Sequence, residues 1–253
     1  MKQLITAFLL LALTSSLGAQ DLKGLIKKSQ KKEHDGSPIS NVLGKITGKS
    51  ADTSGNKVAA GLKEALEVGA ERSAARLSAT DGFFKNAALK ILMPEEMMKV
   101  EKKLRSIGFG RQVDDAILSM NRAAEDATKS AAGIFTRAIR QMSIADATKI
   151  LFGPNDAATV YLKDKATAEL TASFRPVIEQ SLAKVNATKY WNTVFTTYNR
   201  FSTDKVNTDL PAYVTEKALA GIFSQVALEE QKIREDPLAR STDLLKEVFS
   251  KKP

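Results

Sequence analysis

The chain has 253 residues, a formal net charge of +9, no cysteine and a single histidine, His34, which lies in a polar stretch. Cysteine and histidine are the commonest nucleophiles, general bases and soft metal ligands, so this composition excludes a cysteine nucleophile and argues against a Ser-His-Asp triad or a histidine metal site. The length suffices for one sizeable core without disulfides.

The N-terminus resembles an export signal. Lys2 precedes an apolar run of about ten residues, 4–13, which suits the core of a signal peptide and is shorter than the roughly 20 residues that span a bilayer. We therefore predict a cleaved signal peptide over residues 1–19 and an exported, periplasmic, soluble protein. An uncleaved N-terminal helix is the alternative.

Residues 20–55 are rich in Lys, Ser, Gly, Asp and Thr, which is typical of a flexible polar leader. Lys27, Lys28, Lys31 and Lys32 form the one basic cluster, for which we expect weak contact with an anionic membrane. The alternative interpretation of residues 20–55 is a disordered tail without a function. Elsewhere Lys and Arg are interleaved with Asp and Glu, so a nucleic-acid partner is not expected.

Residues 56–253 are predicted to form a single all-α, bundle-like domain with several helices. A first helix carries Val58, Leu62 and Leu66, and residues 80–82 then form a turn that returns Phe83 and Phe84 to the core. Pro94 is predicted to begin a second helix. Its expected inner face consists of Val100, Leu104 and Ile107, and Gly108 and Gly110 are expected to end it.

The most regular periodicity lies between residues 113 and 138. Apolar residues alternate at spacings of four and three, which predicts a seam that faces another helix. We favour intramolecular packing over a dimer interface, and leave open a helix break near Lys129 and Ser130. The seam consists of Val113, Ile117, Met120, Ala124, Ala127, Ala131, Ile134 and Ala138.

The C-terminal half continues the helical pattern. Ser143 and Asp146 predict a capping box, and another helix begins near Asn155 or Asp156 and is kinked or restarted at Pro176. Thr188 is expected to cap an aromatic helix. Later helices are predicted to begin at Asp209 with Pro211, stopping at Asp236 with Pro237, and at Ser241 or Thr242, the last carrying Leu244, Leu245, Val248 and Phe249.

Seven strings in the chain are specific in combination. They are TDGF at 80–83, MNRAAE at 120–125, DAAT at 156–159, TKYWN at 188–192, YVTEKAL at 213–219, EEQKIR at 229–234 with Asp236-Pro237, and residues 240–249. Together they resemble a bacterial envelope family catalogued as domain of unknown function 4197. The resemblance covers about residues 56–250 and implies a helical bacterial protein with an envelope address, but no reaction and no catalytic residues.

The residues themselves offer no catalytic signature. Neither a Walker pattern nor a dinucleotide fingerprint occurs. Asp114 and Glu125 lie on nearly one helix face, but eleven residues separate their backbones by roughly 16 Å, too far for a carboxylate pair of the glycosidase kind. Glu229 and Glu230 are expected to pair with Lys232 and Arg234. We predict no catalytic residue, cofactor or metal.

Two groups of residues are candidates for a ligand or partner surface. Asn121, Arg122 and Glu125 border the seam, where fixing helix register is the favoured role, and Tyr190, Trp191 and Tyr198 belong to the aromatic segment, where core packing is favoured. The predicted function is a non-catalytic binding or interaction protein of the cell envelope. The alternatives are a carrier or sensor of an apolar ligand between the aromatic helix and the next one, and a hydrolase using carboxylates from separate helices. The partner and the oligomeric state are left open.

Overall fold

A computed structural model describes residues 50–201, 203, 205 and 208–235, without the side chains of 50–54, 190, 193, 194 and 201. The predicted signal peptide, almost all of the predicted leader and the predicted last helix lie outside the described residues. Within them the chain is all-helical and contains no strand, so the predicted fold class is confirmed. The elements are α1 (Ser50–Ser78), a 3₁₀ turn (Glu95–Met97), α2 (Met98–Ser106), α3 (Gly110–Thr128), α4 (Ala131–Arg140), α5 (Ile144–Phe152), α6 (Ala157–Lys184), α7 (Ala187–Phe201) and α8 (Leu210–Glu235).

Helix α6 is the centre of the domain. Its inner face repeats every four residues and is fully buried, and α6 packs mainly against α8 and α3, with α4, α5 and α7 around it. Burial of six such side chains supplies a large share of the hydrophobic stabilisation. These side chains are Leu162, Ala166, Leu170, Phe174, Ile178 and Leu182.

The predicted seam is confirmed, and it faces the interior of this chain. All eight seam residues are at most 7% exposed. The seam is carried by two helices, because α3 ends at Thr128 and α4 begins at Ala131. The break that we left open at Lys129 and Ser130 is therefore present, and the Ser130 hydroxyl lies 2.9 Å from that of Ser173 on α6.

Two local predictions at helix ends are wrong, and one of two alternatives at a proline is excluded. Of the kink or restart predicted at Pro176, the restart does not occur, since α6 runs through this exposed proline and the next turn buries Ile178 fully. Thr188 does not cap α7, which already begins at Ala187, and among the described residues its buried hydroxyl oxygen has no hydrogen-bond partner. Ile107 is 54% exposed because α2 ends before it.

The first helix begins earlier than the pattern indicated. α1 starts at Ser50, so Gly55, which we assigned to the leader, lies inside the helix. Glycine costs about 1 kcal/mol relative to alanine in a helix interior, an amount that tertiary packing readily offsets. A Cβ at Gly55 would lie 3.6 Å from Ile144 Cγ2, so α5 covers this part of α1 closely.

The connection between α1 and α2 is the feature that shapes the candidate site. Phe83 is fully buried, as predicted, and its ring rests directly on α8, where a Cβ at Gly221 would approach Phe83 Cε1 to 2.5 Å. Glycine at position 221 therefore permits the close approach. Phe84 packs at the edge of the core and is only partly buried. The connection then continues without regular structure from Lys90 to Pro94.

Candidate functional site

Three side chains of α3 hold the connection in place, and we call Asn121, Arg122 and Glu125 the loop clamp. Glu125 Oε1 accepts hydrogen bonds from the backbone N–H groups of Phe83 (3.1 Å) and Phe84 (3.2 Å). Arg122 donates to Glu125 Oε2 at 2.6 Å and to Asp81 Oδ1 at 2.7 Å. Hydrogen bonds from Lys85 and Arg122 lower the pKa of Asp81. The carboxylates of Glu125 and Asp81 therefore bind the backbone N–H groups of the turn and the Arg122 guanidinium.

Asn121 provides the second half of the loop clamp. It is fully buried, accepts from Ile91 N–H at 2.9 Å and donates to Ile91 C=O at 2.8 Å and to Ile117 C=O at 2.7 Å. A side-chain amide that pairs with both backbone groups of one residue fixes that residue as a neighbouring strand would. From the opposite side, Tyr213 of α8 donates its hydroxyl to Leu92 C=O at 2.8 Å. Residues 91 and 92 are thus held by two helices.

A second buried acid–arginine pair joins three helices, and we call Glu230 and Arg234 the corner clamp. Glu230 accepts from Ala158 N–H (3.0 Å), Thr159 N–H (2.8 Å) and the Thr159 hydroxyl (2.8 Å) in the first turn of α6. Arg234 donates to Glu230 and to the carbonyl of Ile150 at 2.9 Å, in the last turn of α5. An acid at a helix N-terminus and a cation at a C-terminus both suit the helix dipoles.

The corner clamp also supplies the hydrogen-bond acceptor at the start of α6. Asp156 occupies the N-cap position but makes no side-chain cap, and Glu230 supplies the missing acceptor from α8. The Ser143–Asp146 capping box is confirmed, as are the pairs Lys232–Glu229 and Arg234–Glu230. Polar residues from four of the strings quoted for the family resemblance, 80–83, 120–125, 156–159 and 229–234, therefore meet in the two clamps.

An open groove of about 690 Å³ runs between residues 88–96 and the N-terminal half of α8. Leu92, which is 54% exposed, and Met93 form its apolar wall. Glu96, Glu216 and Lys217 add charges to the lining. Because the loop clamp and Tyr213 hold residues 91 and 92, the groove is preformed.

The sequence-predicted site residues whose side chains the structure describes do not form one surface, and none of them lines the groove. Asn121 and Glu125 are buried beneath the connection, and Arg122 is partly exposed at its edge, over the Phe84 ring at 5.7 Å. Trp191 is 5% exposed and packs against Phe195 (4.6 Å between ring centroids) and Tyr213 (6.5 Å). This is the core role we favoured.

Tyr198 is half-buried against the core, and the side chain of Tyr190 lies outside the described residues. None of the groove-lining residues belongs to α7, so this groove is not the cavity that we considered between α7 and α8. The Asp114 carboxylate pairs with Arg105 at 2.8 Å, whereas Glu125 pairs with Arg122, so these two acids serve separate sites.

Sequence reasoning missed the groove and the role of Tyr213. The string YVTEKAL contains this tyrosine, but its partner Leu92 lies 121 residues away. Within the described ranges, no cluster of three or more His, Asp or Glu side chains is arranged to hold a metal ion. Nor does the part of the chain that the structure describes contain a helix whose length and apolar character would let it cross a bilayer.

Tyr213 is expected to ionise at a higher pH than an ordinary tyrosine, because its pKa is raised. Burial first, then the negative charges of Glu96 and Glu216, raises its pKa to about 12. The folded state therefore holds this proton more tightly than the unfolded chain, so the contribution of Tyr213 to stability is complete below about pH 10 and is lost as pH rises toward 12. Absorbance titration at 295 nm should show one tyrosine that ionises at a higher pH than the others, and Tyr213→Phe should remove this step. If the variant instead lost a tyrosine that ionises near pH 10, the raised pKa of Tyr213 would be contradicted.

Comparison with known proteins identifies a family for most of the described residues. The model of a family described as a protein of unknown function, DUF4197, matches residues 52–250. The chain belongs to the DUF4197 family. No curated protein and no solved structure matches it. In this DUF4197 protein, both clamps and the groove lie inside the matched range.

Proposed function

We propose that this protein is a non-catalytic binding protein of the bacterial cell envelope and that the groove between residues 88–96 and α8 receives its partner. The envelope address rests on the signal-like N-terminus and is part of the proposal. The observation that carries the binding role is that polar side chains of two helices, the fully buried Asn121 and the partly buried Tyr213, hold the groove wall at Ile91 and Leu92. A wall fixed before binding lowers the ordering cost of binding.

The groove lining favours a protein segment that combines an apolar side chain with a basic one. Leu92 and Met93 offer apolar contact, while Glu95, Glu96 and Glu216 supply negative charge near the apolar wall. The lining also contains two lysines, Lys90 and Lys217, which lie over the Phe84 and Tyr213 rings at 4.1 Å and 5.5 Å, so the acids exceed the bases by one. Such complementarity selects partners more by charge and register than by buried area.

The non-catalytic role is supported by where the acids are used. Glu125 and Glu230 each accept at least two backbone N–H bonds and an arginine, so their oxygens are already engaged. A general acid or base needs free access to the substrate proton. The alternative role as an apolar-ligand carrier is predicted to use a cavity between α7 and α8, which this groove is not. If a carrier used the groove instead, its occupant would be a lipid or a peptide.

The test is recovery of the protein from its native envelope with associated molecules intact, followed by mass spectrometry. In the variant Ala220→Trp an exposed alanine of the groove becomes a large side chain that fills it. We expect this variant to lose a protein partner that the wild type recovers. Ala172→Trp, an equally exposed helical alanine on α6, is the matched control and should keep the partner.

Three outcomes would contradict the proposal. Recovery of the same partner by Ala220→Trp would place binding elsewhere. A bound lipid without a protein partner would favour the carrier, and turnover of a substrate by the purified protein would favour the hydrolase.

A further inference from the structure

The turn between α2 and α3 exposes two large apolar side chains. Ile107 is 54% and Phe109 47% exposed. With Met98 they make up three of the nine large apolar side chains that are exposed in the described part of the chain, although residues 98–109 form only a small fraction of it. Apolar exposure is therefore concentrated in one region, which distinguishes it from scattered surface residues.

The backbone of this turn is fixed. Gly108 has a φ of +93°, its N–H donates to Arg105 C=O at 3.2 Å, and Phe109 N–H donates to Leu104 C=O at 2.9 Å. These two bonds define a Schellman motif, in which the residue after the glycine commonly packs on the last helical turn. Phe109 does so only in part, and this role does not account for the exposure of Ile107.

The charges around the turn are positive. Residues 102–111 contain Lys102, Lys103, Arg105 and Arg111 and no acid. Arg105 is engaged by Glu101 (2.9 Å) and Asp114 (2.8 Å), and Arg111 Nε lies 4.0 Å from Asp115.

The lysines of α2 differ from these arginines. Lys99, Lys102 and Lys103 are exposed and form no ion pair with any described residue. Glu95 and Glu96 lie further back, beside the groove. The positive charge near the exposed apolar side chains that lacks an ion-pair partner among the described residues is therefore that of the three lysines, since Arg105 and Arg111 face acids.

Helix α2 itself is peripheral. It contains no fully buried residue, and only Val100 and Leu104 pack partly against the core. Met98, Lys102 and Arg105 lie on the opposite side of the helix at 100° per residue.

The outer face of α2 is polar apart from Met98, so the apolar contact with a membrane comes from Ile107 and Phe109 in the turn. Aliphatic and aromatic side chains beside exposed lysines are typical of peripheral membrane-surface elements. Lysine is depleted at protein–protein interfaces, which favours a lipid surface over a protein partner.

We propose that α2 and the turn after it form a docking site for the surface of an anionic phospholipid bilayer. Ile107 and Phe109 enter the boundary between headgroups and acyl chains, and Lys102, Lys103 and Arg111 bind lipid phosphates. The proposal is independent of the groove, because it uses different residues and a different class of ligand.

The experiment uses the protein in the form in which it accumulates in the expressing cell. Its binding to vesicles of phosphatidylglycerol and phosphatidylcholine is measured by sedimentation, with pure phosphatidylcholine vesicles as the comparison. To remove the other basic cluster, every variant is made in a background in which Lys27, Lys28, Lys31 and Lys32 are glutamine. We expect binding to the anionic vesicles that weakens with added salt.

Two sets of variants separate the apolar from the charged contribution. Ile107→Ser with Phe109→Ser, and separately Lys102→Gln with Lys103→Gln, should each lower the vesicle partition coefficient by about tenfold or more. Circular dichroism and thermal unfolding verify that each variant is folded. Phe152→Ser is the matched control. Phe152 is 60% exposed at the end of α5, beside the C-terminal end of α8, where Arg234 donates to the carbonyl of Leu151. The control variant should bind vesicles like its parent.

A direct readout does not depend on loss of function. Phe109→Trp should show a blue-shifted emission with anionic vesicles, measured against the wild type with its buried Trp191, whereas Phe152→Trp should not shift. Absence of vesicle binding, or binding that the Ile107, Phe109 and lysine variants leave unchanged, would overturn the proposal. An unshifted Phe109→Trp emission would overturn it as well.

Discussion

Replacing Glu230 with alanine is expected to lower the free energy of unfolding by about 4 kcal/mol, because removal of one partner leaves a buried charge uncompensated. The side chains of Glu230 and Arg234 are each only 4% exposed. The change also removes the acceptor of Ala158 N–H and Thr159 N–H at the start of α6. Urea denaturation followed by circular dichroism measures the loss.

The control is Glu235→Ala, which removes an exposed carboxylate from the same helix, where it accepts only from Gln231 at 3.1 Å. We expect a change of at most about 0.5 kcal/mol. A double variant, Glu230→Leu with Arg234→Leu, should be less destabilised than Glu230→Ala, because apolar replacement of both partners avoids the unpaired charge. Equal stability of Glu230→Ala and wild type would show that the corner clamp does not hold α5, α6 and α8 together.

Glu125→Ala is expected to cost about 3 kcal/mol, since buried donors without acceptors each carry a penalty of about 1–3 kcal/mol. It leaves Phe83 N–H and Phe84 N–H without their acceptor and removes one of the two carboxylates that bind Arg122. The cost is smaller than at Glu230, because Arg122 is 37% exposed and can turn to solvent. Glu125→Gln should be milder, because its amide oxygen can still accept from both N–H groups, which share Oε1, and only the bond from Arg122 to Oε2 is lost.

Hydrogen exchange localises the effect. In Glu125→Ala we expect the amides of Phe83 and Phe84 to lose protection far more than those of α6, since the loop clamp acts on the connection. Asp115→Ala provides the matched control on α3, because its carboxylate is 68% exposed and lies 4.0 Å from Arg111. A uniform loss of protection over the whole domain would contradict a local role for Glu125.

The two clamps hold parts of the domain of different extent. The corner clamp fixes the ends of α5 and α6 against α8, while the loop clamp and Tyr213 fix residues 81–92 between α3 and α8. A variant of the corner clamp should therefore destabilise the whole domain. A variant of the loop clamp should loosen the groove wall before the domain unfolds, and it should weaken partner binding through the groove.

The sequence by itself determined the helices. Apolar side chains every three or four residues define a helix face without reference to any partner, so the seam from Val113 to Ala138 and the stripe through Leu162 and Phe174 were predictable. The Ser143–Asp146 capping box was predictable for the same reason, because both partners lie within one turn.

Only the tertiary structure decided what the polar residues do. Glu125 accepts a hydrogen bond from Phe83, 42 residues away in sequence, and Glu230 accepts one from Ala158, 72 residues away. Contacts at such separations produce no periodic pattern in the sequence. Local rules assigned Glu230 to Arg234, which is correct, but could not reveal that the pair caps two other helices. The groove arises because an irregular segment is held against α8 by side chains from two helices. Its position therefore depends on how the helices pack and not on the pattern within any one of them.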